Sequence, residues 1–265
     1  MERATQAHLR PRRPHSTLIE LSTLHWEPIH LLPCSEVELT FVKCSWARTD
    51  VIDAGCPDEV RRRGLNTIMP IKLILWDFGD TLADERWMLA PMAGAPDWPR
   101  LYSERVGSTA LGQLWNTGAI STDEVAAELA SALEVEIDAV IAHMLACSRQ
   151  VRFFSKVIAF VEECVAPQAI VTVNPDIFTK ILVPEYQLDR LVNLIVTSWE
   201  QGTDDKTTLC ECAIAQLGVT VPRTECLLVD NQVDNVLAWE SKGGAAYYFR
   251  GENLFCEDFA EWINS

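Results

Sequence analysis

The chain contains no run of about 18 consecutive apolar residues, the length a membrane-crossing helix needs, so no transmembrane segment is predicted. It also contains no CxxC pair. Its nine cysteines stand at irregular spacings and an odd number cannot all pair, which points to free thiols and a cytoplasmic setting. Histidine is scarce: four of the five lie at or before His30, leaving His143 alone in the remainder. A Ser-His-Asp or Cys-His nucleophile system is therefore not expected there.

Positive charge is short as well. The 265 residues carry 22 Lys+Arg against 38 Asp+Glu, a formal charge of −16. Residues 1–68 hold nine of each sign, so the whole excess falls on residues 69–265. A field of that sign repels nucleic acid and anionic membrane surfaces, so neither is expected as a partner. An anionic substrate would depend on local cations.

Residues 1–68 show no sustained helical or strand period and are expected to be a poorly structured extension, or an over-extended reading frame whose natural start is Met69. His25, His30, Cys34, Cys44 and Cys56 match no zinc-site spacing. Glu20 and Glu27 interrupt the apolar stretch that a secretory signal would need.

From Ile71 the pattern becomes regular. Ile71–Trp76 is a short apolar run closed by Asp77-Phe78-Gly79-Asp80, and similar runs recur at Ala169–Val173, Leu194–Thr197, Cys226–Val229 and Ala245–Phe249. Helical patterns separate them. Asn174-Pro175 is a cap followed by Pro at a first helical position, Asp204–Leu217 stops at Gly218, and Val233–Lys242 stops at Gly243. This alternation predicts an α/β fold with a doubly wound, mostly parallel sheet. One interval departs from it: between Asp84 and Gln150 every signal is helical, including the Ser121–Glu124 capping box. The expected organisation is thus an α/β core from residues 69–83 and 151–265 with a helical cap, 84–150, inserted after the first strand.

Ligands of open parallel sheets bind beyond the carboxyl ends of the strands. The residues predicted there are polar: Asp77, then Thr172 and Asn174, then Lys206, then Asp230 and Asn231. Asp77-Phe78-Gly79-Asp80-Thr81-Leu82, Thr172-Val173-Asn174, Lys206, and Asp230-Asn231-Gln232-Val233-Asp234-Asn235 resemble, in order, the four motifs of the haloacid dehalogenase-like (HAD) hydrolases. That resemblance covers about Lys72 to Arg250. It implies a Rossmann-like core and a magnesium-dependent phosphatase acting on a small phosphorylated metabolite. It further implies Asp77 as nucleophile, Lys206 as charge stabiliser, and Thr172 with Asn174 at the phosphoryl group. Asp77, the Gly79 carbonyl, Asp230 and Asn231 would hold Mg2+. The chemistry suits those types, since a carboxylate attacking a phosphate needs cations to offset the repulsion of two anions.

The sequence departs from the family pattern in one direction. Gly79 stands where the phosphatases carry a general acid, Asp80 occupies the slot usually held by Gly, and Asn231 and Asn235 replace acids. Metal binding is expected to be weak. Two other readings follow: a catalytically silent binding protein, and a metal-independent haloacid dehalogenase, whose fourth motif the Asn231-x-x-Asp234 spacing resembles. Some assignments stay open. Lys206, a cation in a first helical turn and so disfavoured by the dipole, has Asp204 and Asp205 as alternative partners, and Val173 competes with Thr172 for the hydroxyl position. Among Arg86, Arg100, Arg105, Arg149 and Arg152, one or two are candidates to close over substrate. His143, Cys210, Cys212, Trp199 and Trp239 read as packing residues.

Overall fold

The computed structural model describes residues 71–256 and Phe259. The expectations for residues 1–68 lie outside these. Five strands, β1 (Leu73–Trp76), β2 (Gln168–Thr172), β3 (Leu194–Thr197), β4 (Cys226–Asp230) and β5 (Ala245–Tyr248), form one all-parallel sheet in the order β3-β2-β1-β4-β5. All four residues of β1 are buried because both faces of the sheet are covered. Ile74 and Trp76 pack with Val157 and Val161 of a helix at Ser155–Glu163, while Leu73 and Leu75 face Leu209 and Ala213 of Lys206–Leu217 and Trp239 of Val233–Ser241.

The chain winds from β1 outward to β3, then returns to place β4 on the other side of β1. That reversal opens a crevice at the carboxyl ends of β1 and β4. Trp76 is in register with Val229, and the Asp77 N–H donates to the Val229 carbonyl at 2.9 Å, so Asp77 and Asp230 emerge side by side.

Element bounds differ from the sequence expectation by a residue or two. Strand β2 starts at Gln168, a polar residue that hides the strand start. Its buried amide accepts from the Trp76 indole at 2.9 Å and donates to the Val161 carbonyl at 2.8 Å. The Asn174 cap is not formed. Helical structure begins at Asp176, and the Asn174 amide donates instead to Thr172 Oγ1 at 2.7 Å. The segment continues through a π-helical turn, Phe178–Leu182.

Between β1 and β2 the chain forms a 3-10 turn, Glu85–Leu89, followed by four helices: α1 (Trp98–Arg105), α2 (Ala110–Asn116), α3 (Thr122–Leu133) and α4 (Ile137–Ser148). The capping box opens α3 as its sequence requires, Ser121 and Glu124 each accepting from the other's backbone N–H. These helices bury a cluster of their own around Trp98, Trp115, Leu129, Val140 and Met144, joined by Ile177 from the segment after β2. Trp115 Nε1 donates to Asp176 at 3.1 Å, Ser198 Oγ to the Asn116 carbonyl at 2.6 Å, and Gln113 to Asp204 at 3.0 Å. The helical insertion therefore rests on segments that follow β2 and β3, over the carboxyl end of the sheet. Among the described residues no helix is long and apolar enough to cross a membrane.

Candidate active site

Asp77 closes β1 and is 6% exposed. The Lys206 ammonium stands 2.5 Å from its Oδ1, 3.3 Å from Asp230 Oδ2, and 2.9 Å from the Val171 carbonyl, to which it donates. The disfavoured cation at the start of its helix is thereby explained: the side chain turns inward across the sheet end, away from the amino terminus of its own helix. Asp205 caps that helix, accepting from Thr207 N–H at 3.1 Å, and Asp204 takes the Gln113 amide, so neither acid pairs with Lys206.

Three charges with 4%, 6% and 0% exposure for Lys206, Asp77 and Asp230 are stable together only because they pair. Burial alone would strip the Lys206 proton, but the Asp77 and Asp230 carboxylates outweigh it and hold the ammonium charged. Burial lifts Asp77 above the ordinary carboxylate range; Lys206 draws it back and Asp230 adds to the rise. Asp230 is fully committed. Its Oδ1 accepts from the Gln232 N–H at 2.8 Å, and both oxygens accept from the Asn235 amide at 3.1 and 3.0 Å. Asn231 beside it has a buried Oδ1 that accepts no hydrogen bond.

Thr172 ends β2, is 1% exposed, and accepts from Asn174 through its hydroxyl, whereas Val173 packs into the apolar layer under the sheet. Thr172 carries the hydroxyl of this stretch, held by the Asn174 amide at 2.7 Å.

The turn after Asp77 contains an arrangement that the sequence does not announce. Asp80 has φ 49°, the left-handed conformation that a Gly at this slot would adopt freely and that Asp tolerates better than most residues. Its Oδ1 accepts the Glu85 N–H at 3.0 Å. Glu85 then turns its carboxyl back over Gly79: Cδ, Oε1 and Oε2 lie 3.0, 3.2 and 3.3 Å from where a β-carbon on residue 79 would stand. The residue as a whole is exposed, yet loss of water around the inward-turned carboxyl raises its pKa to about 7, with the Asp77 and Asp80 carboxylates adding to the effect.

No protein-family model and no curated protein matches the sequence. Solved structures do match. A predicted HAD-like family hydrolase from Porphyromonas gingivalis is similar with a TM-score of 0.58 and 16% identity, over 74% of this chain and all of that one. The magnesium complex of a HAD family enzyme from Bacteroides thetaiotaomicron gives a TM-score of 0.52 and 13% identity over 68% and 94% of the two chains. The L-2-haloacid dehalogenase of Xanthobacter autotrophicus gives 0.50 and 15% over 67% and 77%. This chain has the haloacid dehalogenase-like fold.

Within this HAD-like fold the donor atoms suit a hard cation by type. The orphaned Asn231 Oδ1 is an oxygen ligand without a competing partner, and Asp77 supplies a carboxylate at the same sheet edge. Asp230, expected from sequence as a further ligand, has both oxygens taken by Lys206, Asn235 and the Gln232 N–H. Among the described residues no group of three or more His, Cys, Asp or Glu side chains stands where it would hold a metal.

The cap arginines point elsewhere. Arg86 and Arg152 pair with Asp84, Arg100 with Asp97 and Glu104, Arg105 with Glu128, and Arg149 with Glu185. Each is more than half exposed, and none is paired with Asp77. The packing assignments agree with the structure for Trp239 and Cys210, both fully buried, and for His143, whose ring lies edge-on to Trp98 with Nε2 3.0 Å from the Ala90 carbonyl. Trp199 is half-buried and donates to Thr179 at 2.8 Å.

Proposed function

We propose that this HAD-like protein is a phosphatase that hydrolyses a small phosphorylated metabolite through an aspartyl-phosphate on Asp77. The observation that carries the reading is the Lys206 ammonium clamped on both Asp77 and Asp230 at the switch point of the sheet. A carboxylate held at the bottom of a crevice with one oxygen on an ammonium presents its other oxygen outward as a nucleophile. Lys206 also offsets the negative charge that gathers at the phosphoryl group as that oxygen attacks, and it needs no rearrangement to do so. Thr172 and Asn174, already hydrogen-bonded to each other, lie at the end of the neighbouring strand, where phosphoryl oxygens would be received. Asp77 and Asn231 would hold a magnesium ion, which supplies further charge screening when bound. With a single ionic ligand the affinity is low, so saturation is expected only at millimolar Mg2+. Among the described residues Cys147, Cys164, Cys210, Cys212 and Cys226 are free thiols, in keeping with a cytoplasmic enzyme.

Steady-state hydrolysis of an aryl phosphate, with Mg2+ titrated from zero to tens of millimolar, checks the proposal. Turnover that rises with Mg2+ without reaching a plateau below millimolar levels is expected; well-folded protein inert at every concentration would sink the reading. The commitment of Asp230 to Lys206 and Asn235 favours a second one, in which Asp77 displaces halide from a 2-haloacid without metal. Halide release in the presence of a chelator would select it.

A further inference from the structure

We propose that Glu85 is the proton-transferring group of this site, replacing from six positions downstream the side chain that Gly79 lacks. The inference rests on the phosphatase reading and goes beyond it by assigning a residue that belongs to none of the four motifs. Two features of the turn combine to carry it. First, Gly79 leaves empty the volume in which a side chain two positions after Asp77 would begin, and the Glu85 carboxyl fills that volume, with Cδ 3.0 Å from the missing β-carbon. The contact is tighter than ordinary packing, so a larger residue at 79 needs the Glu85 carboxyl to give way by a few tenths of an ångström. Second, Asp80 sits in a left-handed conformation that aims its carboxylate at the Glu85 N–H, fixing the start of the 3-10 turn Glu85–Leu89. The Gly79-Asp80 pair, which reads in the sequence as a broken motif, thus both vacates the position and anchors its replacement.

Exposure distinguishes Glu85 from the other carboxylates of the crevice. Asp77 and Asp230 are enclosed and bound to Lys206, whereas Glu85 is exposed as a residue and among the described residues no salt bridge engages its carboxyl. Turned back over Gly79 with no ion pair to hold its proton, the carboxyl is placed to meet a leaving group above Asp77. In the first half-reaction an Asp77 oxygen forms a bond to phosphorus while the phosphorus–oxygen bond to the leaving group breaks. The electron pair goes to the ester oxygen, which takes the Glu85 proton and departs as an alcohol. In the second, a water oxygen attacks phosphorus and gives its proton to the Glu85 carboxylate. The bond to Asp77 breaks with its pair returning to the carboxylate, and phosphate is released. Glu85 ends protonated, as it began.

The test compares Glu85→Gln with the unaltered full chain on an aryl phosphate, whose leaving group needs no proton, and an alkyl phosphate, whose leaving group does. Expected is a loss of about 10²–10⁴-fold in kcat on the alkyl ester and less than about tenfold in aspartyl-phosphate formation from the aryl ester. Glutamine preserves size and hydrogen bonding, so a purely structural role would lower both equally. The double variant Gly79→Asp/Glu85→Ala returns a carboxyl to the vacated position after removing the group that blocks it, and it is expected to recover alkyl phosphate hydrolysis relative to Glu85→Ala. An unchanged alkyl-to-aryl ratio in Glu85→Gln, with the unaltered enzyme active on both, overturns the assignment of Glu85 alone. An unaltered enzyme inactive on both esters with Mg2+ overturns the phosphatase reading and this assignment together.

Discussion

Asp77→Asn is expected to abolish turnover, by about 10⁴-fold or more, while leaving the protein folded. The size of the loss follows from the role proposed: an amide does not form an acyl phosphate, so no route through Asp77 remains, and removal of a nucleophile forfeits the two-step path as a whole. The fold should survive because the change is isosteric and relieves a cost. Asp77 is a carboxylate held above its ordinary range chiefly by burial. Asn keeps an oxygen for the Lys206 ammonium without the charge, and Asp230 remains as counter-ion at 3.3 Å. A thermal melt unchanged or raised, together with no burst of aryl alcohol in rapid-quench measurements, is the expected pair of results. Residual turnover within about tenfold of the unaltered protein would remove Asp77 from the mechanism.

The opposite balance governs Lys206→Met. Methionine matches the stem of the lysine but leaves Asp77 and Asp230 buried as facing like charges, and breaking a buried pair by removing one partner typically costs about 3–5 kcal/mol. The loss should depend on pH with a definite sign. In the variant Asp77, already lifted by burial to about 6, loses the ammonium that draws it back, so its folded-state pKa lies above its unfolded one, the folded state binds more protons between the two values, and stability falls as pH rises through that window. In the unaltered protein the Lys206 proton is held more tightly folded than unfolded. Its contribution is therefore full below the unfolded lysine pKa and fades only as pH climbs through the still higher folded value. Urea unfolding should thus show the gap between the two proteins widest near pH 8 and narrowing towards pH 5, where the orphaned Asp77 takes up a proton. A gap that widens on acidification would contradict this account of the charge cluster.

The sheet was legible in the sequence because a doubly covered strand is a continuous apolar run, and Leu73–Trp76 and Cys226–Val229 are such runs. What blurred the bounds was buried polarity satisfied by tertiary partners. Gln168 looks like a surface residue until Trp76 and the Val161 carbonyl are seen to engage its amide. The charge cluster was readable from strand ends together with the family resemblance, since Asp77 follows β1, Asp230 closes β4 and Lys206 matches the family's third motif after β3. Three matters were not readable. Asp230 was expected as a metal ligand, and its hydrogen bonds from Asn235 and the Gln232 N–H, beside the Lys206 ion pair, gave no sign in the sequence. Asn174 was expected to cap a helix, and it turns back to Thr172. Glu85 gave no signal, because its place beside Gly79 is made by a left-handed residue and a turn between them, neither of which has a period. The one trace was indirect: a side chain missing at 79 and an unusual Asp at 80.

The ion pairs of the helical insertion have a bearing on how fast a substrate arrives. All five arginines from Arg86 to Arg152 sit against acids at the surface. They present closed dipoles to an approaching phosphate, and the net field of the body stays repulsive beyond their immediate reach. Added salt shortens the range of that field to about 8–10 Å at physiological strength. Encounter with an anionic substrate should therefore quicken as salt is raised from low ionic strength, the reverse of an electrostatically steered enzyme. The repulsion would act as a filter, favouring small, weakly charged esters over polyphosphates.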